Sequence, residues 1–443
     1  MRRGAGSGMA RLWREAVDLH SGVPARREAA GRIGAAPNDP TEPRVQTVTL
    51  AELETAQMRH AGKELLSLAL IDSRNTSLRW AAAFEAAYRH AEPAAHTSGL
   101  LPSPRWLFGH MGWFQERWIG RNVERQRGTQ ADATRAMLAS ILPEADAWFD
   151  TALALPAEAD WQTLRDYLVA SLETTLELLA NAEEDDDALY FYRLALFNED
   201  AAAEHFAVIA QTLGVAPAWL VPMPARAVRP PLVFPATRWP LGSAAGGFVF
   251  DAEQPVHEVP LPEFEIDSQA VNWAQYGEFA EDGGYDDRRL WSADGWAWIQ
   301  AHGRRTPRHV EQMRHGVLQR RFGHAVRVPA TQAAVHVSWY EADAWCRWAG
   351  RRLPHEAEWE AAAVLGATRG FRWGDVQEWT AGTLRPYPGA VVATPGQAVG
   401  RANERVLRGA SAATAGRLRH PKARHGRREA FDLGFCGFRS CAV

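Results

Sequence analysis

The chain has 443 residues, a formal net charge of -4, and a composition that is 46% hydrophobic and 23% charged. That balance excludes collagen-like, largely disordered and disulfide-framework proteins, and the length allows two to four domains with sizeable cores. Cys346, Cys436 and Cys441 are too few and too scattered for a disulfide scaffold or zinc ribbon, which fits a reducing, cytoplasmic setting. No apolar run reaches the roughly 18 residues of a membrane span, and the basic N-terminus lacks the apolar stretch of a signal peptide.

Residues 1–47, rich in Gly, Ala, Arg and Pro, predict a mobile tail. From 48 to 215 the pattern is helical. Thr49 stands as a cap for a helix from Leu50, with Glu52 at the capping-box position. Apolar residues three and four apart mark segments 50–70 and 73–90, then the stretch after Pro104, then 161–181 and 188–213, closed by Gly214. An acidic run from Glu183 to Asp187 reads as a solvated loop. Four long helices with short links predict an up-and-down bundle. The Pro-rich stretch 216–236 predicts an extended linker.

Residues 237–443 change texture. Most of the 19 tryptophans fall in the second half, among short strand-like runs (GFVFD, HEVPLPEFEID, VHVSWY, RVLRGAS) and helices at 340–349 and 356–364. The expectation is an α+β chain of two domains, the second loop-rich and pinned by large rings. EFEIDSQAVNWAQYGEFAEDGGY (263–285), VHVSWYEADAWCRWAGRRLPHEAEWEAAA (335–363), WGDVQEWTAG (373–382), RVLRGAS (405–411) and GFRSC (437–441) occur in a distinctive order. Together they resemble the formylglycine-generating-enzyme or sulfatase-modifying-factor domain, which has a C-type-lectin-like fold. These blocks establish fold rather than chemistry. Cys346 lies on an apolar helix face, which argues against a formylglycine-generating cysteine pair.

The first half, with PSPRWLFGHMGWFQERWIGRN (102–122), resembles the ergothioneine and selenoneine synthase family, in which a DinB-like four-helix bundle precedes this domain. The resemblance implies an oxygen-dependent, non-haem iron enzyme. It would join a thiol or selenosugar donor to the imidazole of hercynine, with Fe(II) as cofactor and O₂ as co-substrate. The family's first iron ligand falls on His110. Its other two histidines fall on Asn198 and Ala202, which cannot replace them: alanine has no donor, and an amide oxygen is a poor partner for iron. A shifted set of His110, His205 and Glu204 is one reading. A metal-free paralogue that keeps the cleft as a small-molecule-binding or scaffold protein is the other.

A quaternary ammonium favours aromatic faces, for which Trp379 is a candidate. Substrate carboxylates favour arginine forks. Only Lys63 and Lys422 are lysines, and residues 401–443 carry nine arginines and one lysine against three acids. Arg419, Arg424 and Arg439 are the candidate clamps. Tyr387 is the nearest match to the tyrosine with which relatives deliver a proton. No nucleic-acid motif accompanies the basic segment, so nucleic acid is not expected as a partner. A monomer or weak homo-oligomer is expected.

Overall fold

The computed structural model describes residues 50–88, 101–150, 155–219, 223–313, 316–391, 394–397 and 403–443. The expected tail at 1–47 and the Thr49 cap lie outside these residues. Four long helices form the first half: α1 (Lys63–Ala87), α2 (Pro104–Gln115), α3 (Trp161–Ala180) and α4 (Asp186–Leu213). Their starts follow capping chemistry. Ser103 accepts from the Trp106 amide with Pro104 in the first turn, Asp160 accepts from Thr163, and Asp185 accepts from Ala188. Gly214, at φ 74°, ends α4 in the left-handed conformation that glycine adopts without steric cost.

Two expectations need correction here. Segments 50–70 and 73–90 are not two helices: short turns at Leu50–Leu53 and Ala56–His60 precede a single α1. Ser73 and Arg74, which interrupt the apolar pattern, find buried partners on α4, Ser73 Oγ 2.8 Å from Asp200 Oδ1 and Arg74 Nε 2.8 Å from Glu199 Oε1. The acidic run is also more than a solvated loop, because Asp185 caps α4 and Asp186 pairs with Arg193 at 2.7 Å.

In the second half, β1 (Leu232–Phe234) pairs antiparallel with β4 (Phe264–Ile266), and β2 (Thr237–Leu241) pairs antiparallel with β3 (His257–Leu261). β5 (Val310–Gln312), β6 (Val317–Arg321) and β7 (His324–Val328) form a meander. The largest sheet contains β8 (Gln377–Thr383), β9 (Arg405–Arg408), β10 (Arg424–Arg427) and β11 (Cys436–Phe438) in the order β10-β9-β8-β11, with β11 parallel to β8. Helices α5 (Trp273–Glu281), α6 (Ala293–His302) and α7 (Trp339–Trp348) share a core with β8 and β11, and α8 (Glu356–Leu365) packs on β2, β3, β4, β8 and β9.

VHVSWY is not a strand, because Ser338 and Glu341 form the capping box of α7. GFVFD is not one either; Phe248 and Phe250 instead pack against Phe197 of α4. The Pro-rich stretch is docked rather than a free linker. Met223 is buried in the second-half core, Arg226 makes a two-pronged bond to Asp375, and β1 lies within it. All three cysteines are free and buried.

The two halves meet along α4. Arg417 reaches Asp200, Ser411 and Thr414 bond Glu204, and the Phe322 amide donates to Gln211 at 2.9 Å. Residues 50–443 form one compact unit. No helix of the described residues is long and apolar enough to cross a membrane.

Candidate functional site

A cavity of about 810 Å³ lies between the C-terminal part of α4 and the strand β10 with the loop that joins it to β11. On α4, Ala201, Glu204, His205 and Val208 all line it. Their spacing of three and four residues makes one stripe along the helix. Ala202, Phe206 and Ile209 lie on the opposite stripe and fill the bundle core. On β10, His425 and Arg427 line the cavity, two residues apart and so on one face of the strand. Trp298, Phe431 and Phe435 supply aromatic walls.

The electrostatics of this cavity are cationic. Burial, reinforced by Arg427, lowers His205 to about 4, and burial with Arg427, Arg408 and His205 lowers His425 to about 3. Both rings face the open cavity, where the surrounding protein and the Arg427 guanidinium disfavour their charged forms. Both imidazoles are therefore neutral near pH 7. Arg304 and Arg308 share Asp432, at 2.5 and 2.7 Å. Arg427 differs: its Nη1 donates to its neighbour's carbonyl at Gly426, and its guanidinium lies 5.4 Å from the centre of the Phe431 ring. Among the described residues no carboxylate forms an ion pair with it.

The residues expected from the sequence are dispersed. His110 sits on α2 with its ring stacked on Trp106 at 4.5 Å and tilted against Trp113 at 5.3 Å, and burial lowers it to about 4. It does not line the cavity. Glu204 and His205 do, but Glu204 accepts from Ser411 Oγ at 2.6 Å and Thr414 Oγ1 at 2.9 Å. Burial raises its carboxyl above the usual range. Among the described residues no three His, Cys, Asp or Glu side chains form a group able to hold a metal. The expected set of His110, His205 and Glu204 is therefore not assembled, because the two helices present these side chains to different surroundings.

The expected substrate contacts also lie elsewhere. Trp379 is fully enclosed and donates to the Val337 carbonyl at 2.8 Å. Arg439 is fully enclosed with both prongs on Glu378 and its plane over Phe371. Arg424 binds Glu356 at 2.7 and 3.0 Å, and Arg419 donates to the carbonyls of Ser411 and Thr414. Tyr387 packs on His257 and donates to Glu356 at 3.3 Å, and burial pushes its hydroxyl well up. Each of these arginines is already occupied by protein acceptors, and none of these five residues lines the cavity.

Sequence reading named neither His425 nor Arg427, which line the cavity. The signal was available in RHGR, where strand alternation puts Arg424 on one face and His425 with Arg427 on the other. Arg424, the candidate from the sequence, therefore lies on the face of the strand turned away from this cavity.

The sulfatase-modifying factor enzyme 1-like domain family matches residues 235–374. The chain is 30% identical over 392 residues to the hercynine oxygenase of Mycolicibacterium smegmatis, a match covering 72% of this chain and 86% of that protein. It is 28% identical over 355 residues to the hercynine oxygenase of Mycobacterium tuberculosis, covering 68% and 81%. The formylglycine-generating enzyme of Streptomyces coelicolor is 37% identical over 174 residues, covering 34% of this chain and 52% of that protein.

Proposed function

The chain belongs to the hercynine oxygenase family, and from that premise we propose that its main cavity binds hercynine, or a closely similar amino-acid betaine, without the family's iron. The observation that carries this reading is Arg427, a guanidinium that lines the cavity and has no carboxylate partner among the described residues. A ligand carboxylate would complete it with a charge-assisted, two-pronged contact. The faces of Trp298, Phe431 and Phe435 suit a trimethylammonium group. Neutral His205 and His425 can exchange hydrogen bonds with the ligand imidazole. At about 810 Å³ the cavity has room for a second small molecule, in keeping with a thiol or selenosugar donor.

The donor set does not fit a three-histidine iron centre. His205 and His425 are two imidazoles in one cavity, but Glu204 is committed to Ser411 and Thr414, and Asp432 to two arginines. Arg427 beside both rings opposes a divalent cation. The family's iron-dependent joining of sulfur or selenium to hercynine is the second reading, favoured by family membership and by the two neutral imidazoles. It would give an oxidoreductase using O₂ rather than a binding protein.

The test is calorimetric titration of hercynine into the full chain and into Arg427→Met. The proposal predicts binding that weakens by about tenfold to a hundredfold in the variant, the loss expected for a charge-assisted bond. Equal affinities would overturn it.

A further inference from the structure

A second cavity, of about 270 Å³, lies at the end of α4 against the β6–β7 hairpin, and Gln211, Gln319, Arg321, Val326, His336 and Phe435 line it. Arg321 is half-buried, and it stands apart from the enclosed arginines. Arg59, Arg74, Arg408, Arg417, Arg424 and Arg439 each hold a carboxylate: Glu253, Glu199, Glu360, Asp200, Glu356 and Glu378. Arg321 has only neutral amide oxygens, Gln319 Oε1 at 2.9 Å from Nε and Gln332 Oε1 at 2.6 Å from Nη2. No described acidic group forms an ion pair with it, and burial is the sole influence on its proton affinity, lowering it. Arginine stays charged even so. A half-buried charge without a counter-charge carries part of the desolvation cost, and an anion in the cavity would offset it.

Unsatisfied polar groups surround the same space. Gln319 is 1% exposed, and because its oxygen is fixed by Arg321, its Nε2 is a donor with no partner. His336 is 2% exposed with an unpartnered Nδ1, and its ring packs on Phe435 at 5.2 Å and on His309 at 4.8 Å. His309 Nε2 is unpartnered as well. Both histidines occupy the left-handed region, at φ 65° and 63°, a conformation that costs a non-glycine residue energy and is concentrated at ligand sites. The rest of the lining is apolar, including Met223, Val335 and Ala413.

We propose that this second cavity is a ligand site for a small carboxylate with an apolar body, its carboxylate held by Arg321 and Gln319. The site is separate from the hercynine cavity, with Phe435 forming a wall of each. It stands whether or not the main cavity takes hercynine.

The experiment is calorimetric titration of the full chain with acetate, propionate, butyrate and inorganic phosphate. Affinity should rise about fourfold per added methylene, as the apolar lining takes up each one. Phosphate should bind more weakly than butyrate. Arg321→Met should weaken butyrate about tenfold or more. Val326→Phe narrows the cavity from an exposed strand position opposite Gln319, and should also exclude butyrate while leaving hercynine binding intact. It keeps the test valid where Arg321→Met fails to fold. Absence of carboxylate binding to the unaltered chain, or butyrate affinity unchanged in Val326→Phe, would overturn the proposal. Phosphate binding as tightly as butyrate would overturn the assignment of an apolar body.

Discussion

Arg417 Nε lies 2.6 Å from Asp200 Oδ2, and both side chains are almost wholly enclosed where the second half of the chain meets α4. Arg417 Nη2 also reaches Asp72 at 2.9 Å, while Ser73 donates to the other Asp200 oxygen. The wall of the main cavity is thus held in place by a buried ion network. Arg417→Met should destabilise the chain by about 3–5 kcal/mol, since it strands a buried carboxylate. Burial already lifts Asp200 to about 6 against the pull of Arg417. Without Arg417 the carboxyl rises further, and a carboxyl raised on folding gives stability at low pH that is lost as pH climbs through its folded value. Urea midpoints should show a smaller loss at pH 5 than at pH 8.

Glu204 tests whether the stripe on α4 serves the interface or a metal. Its two oxygens accept from Ser411 and Thr414. Glu204→Ala should cost about 1–3 kcal/mol by leaving two hydroxyls short of an acceptor. Glu204→Gln, which keeps an acceptor and adds a donor that either hydroxyl can accept, should lose markedly less. Equal losses in thermal denaturation would show that the hydrogen bonds contribute little.

Placing histidines at the two positions where the family resemblance expects them should not be neutral. Asn198 is half-buried, whereas Ala202 is 5% exposed in the bundle core with Phe206 and Trp80. Asn198→His should fold normally. Ala202→His should cost about 1–3 kcal/mol by overpacking, plus the penalty of a buried polar ring. Comparison of the two variants by chemical denaturation checks this.

Acid sensitivity should come from histidines. His110, His205 and His309 fall to about 4 and His420 and His425 to about 3, mainly through burial. Each is lowered on folding, so its contribution is present above its unfolded value of about 6.5 and lost as pH falls through the folded one. Stability should decline from pH 6.5 toward pH 4. Between pH 6 and 8 the imidazoles of the cavity, His205 and His425, stay neutral. Hercynine affinity should therefore be flat across that range, as titrations at pH 6, 7 and 8 would show.

Much of the architecture was legible in sequence because it rests on local signals. Asp160 and Gly214 bound α3 and α4 through caps, and the ordered blocks around Trp345 and Trp379 mark the second half. The α1 break was misread because the partners of Ser73 and Arg74 lie about 125 residues away on α4. The candidate site was half legible. Glu204 came from the family resemblance and His205 from helical spacing beside it, but Arg424 and Arg427 look alike until strand register assigns their faces. Arg439 shows a further limit: a buried guanidinium paired with Glu378 has the same sequence signature as a free one.

The most direct test of the central claim is calorimetric titration of hercynine into metal-stripped protein, repeated under anaerobic conditions after addition of Fe(II). Hercynine should bind the metal-free chain, with the affinity unchanged by Fe(II). Binding that appears only after Fe(II) is added would contradict it and would return the chain to the iron-dependent chemistry of its family.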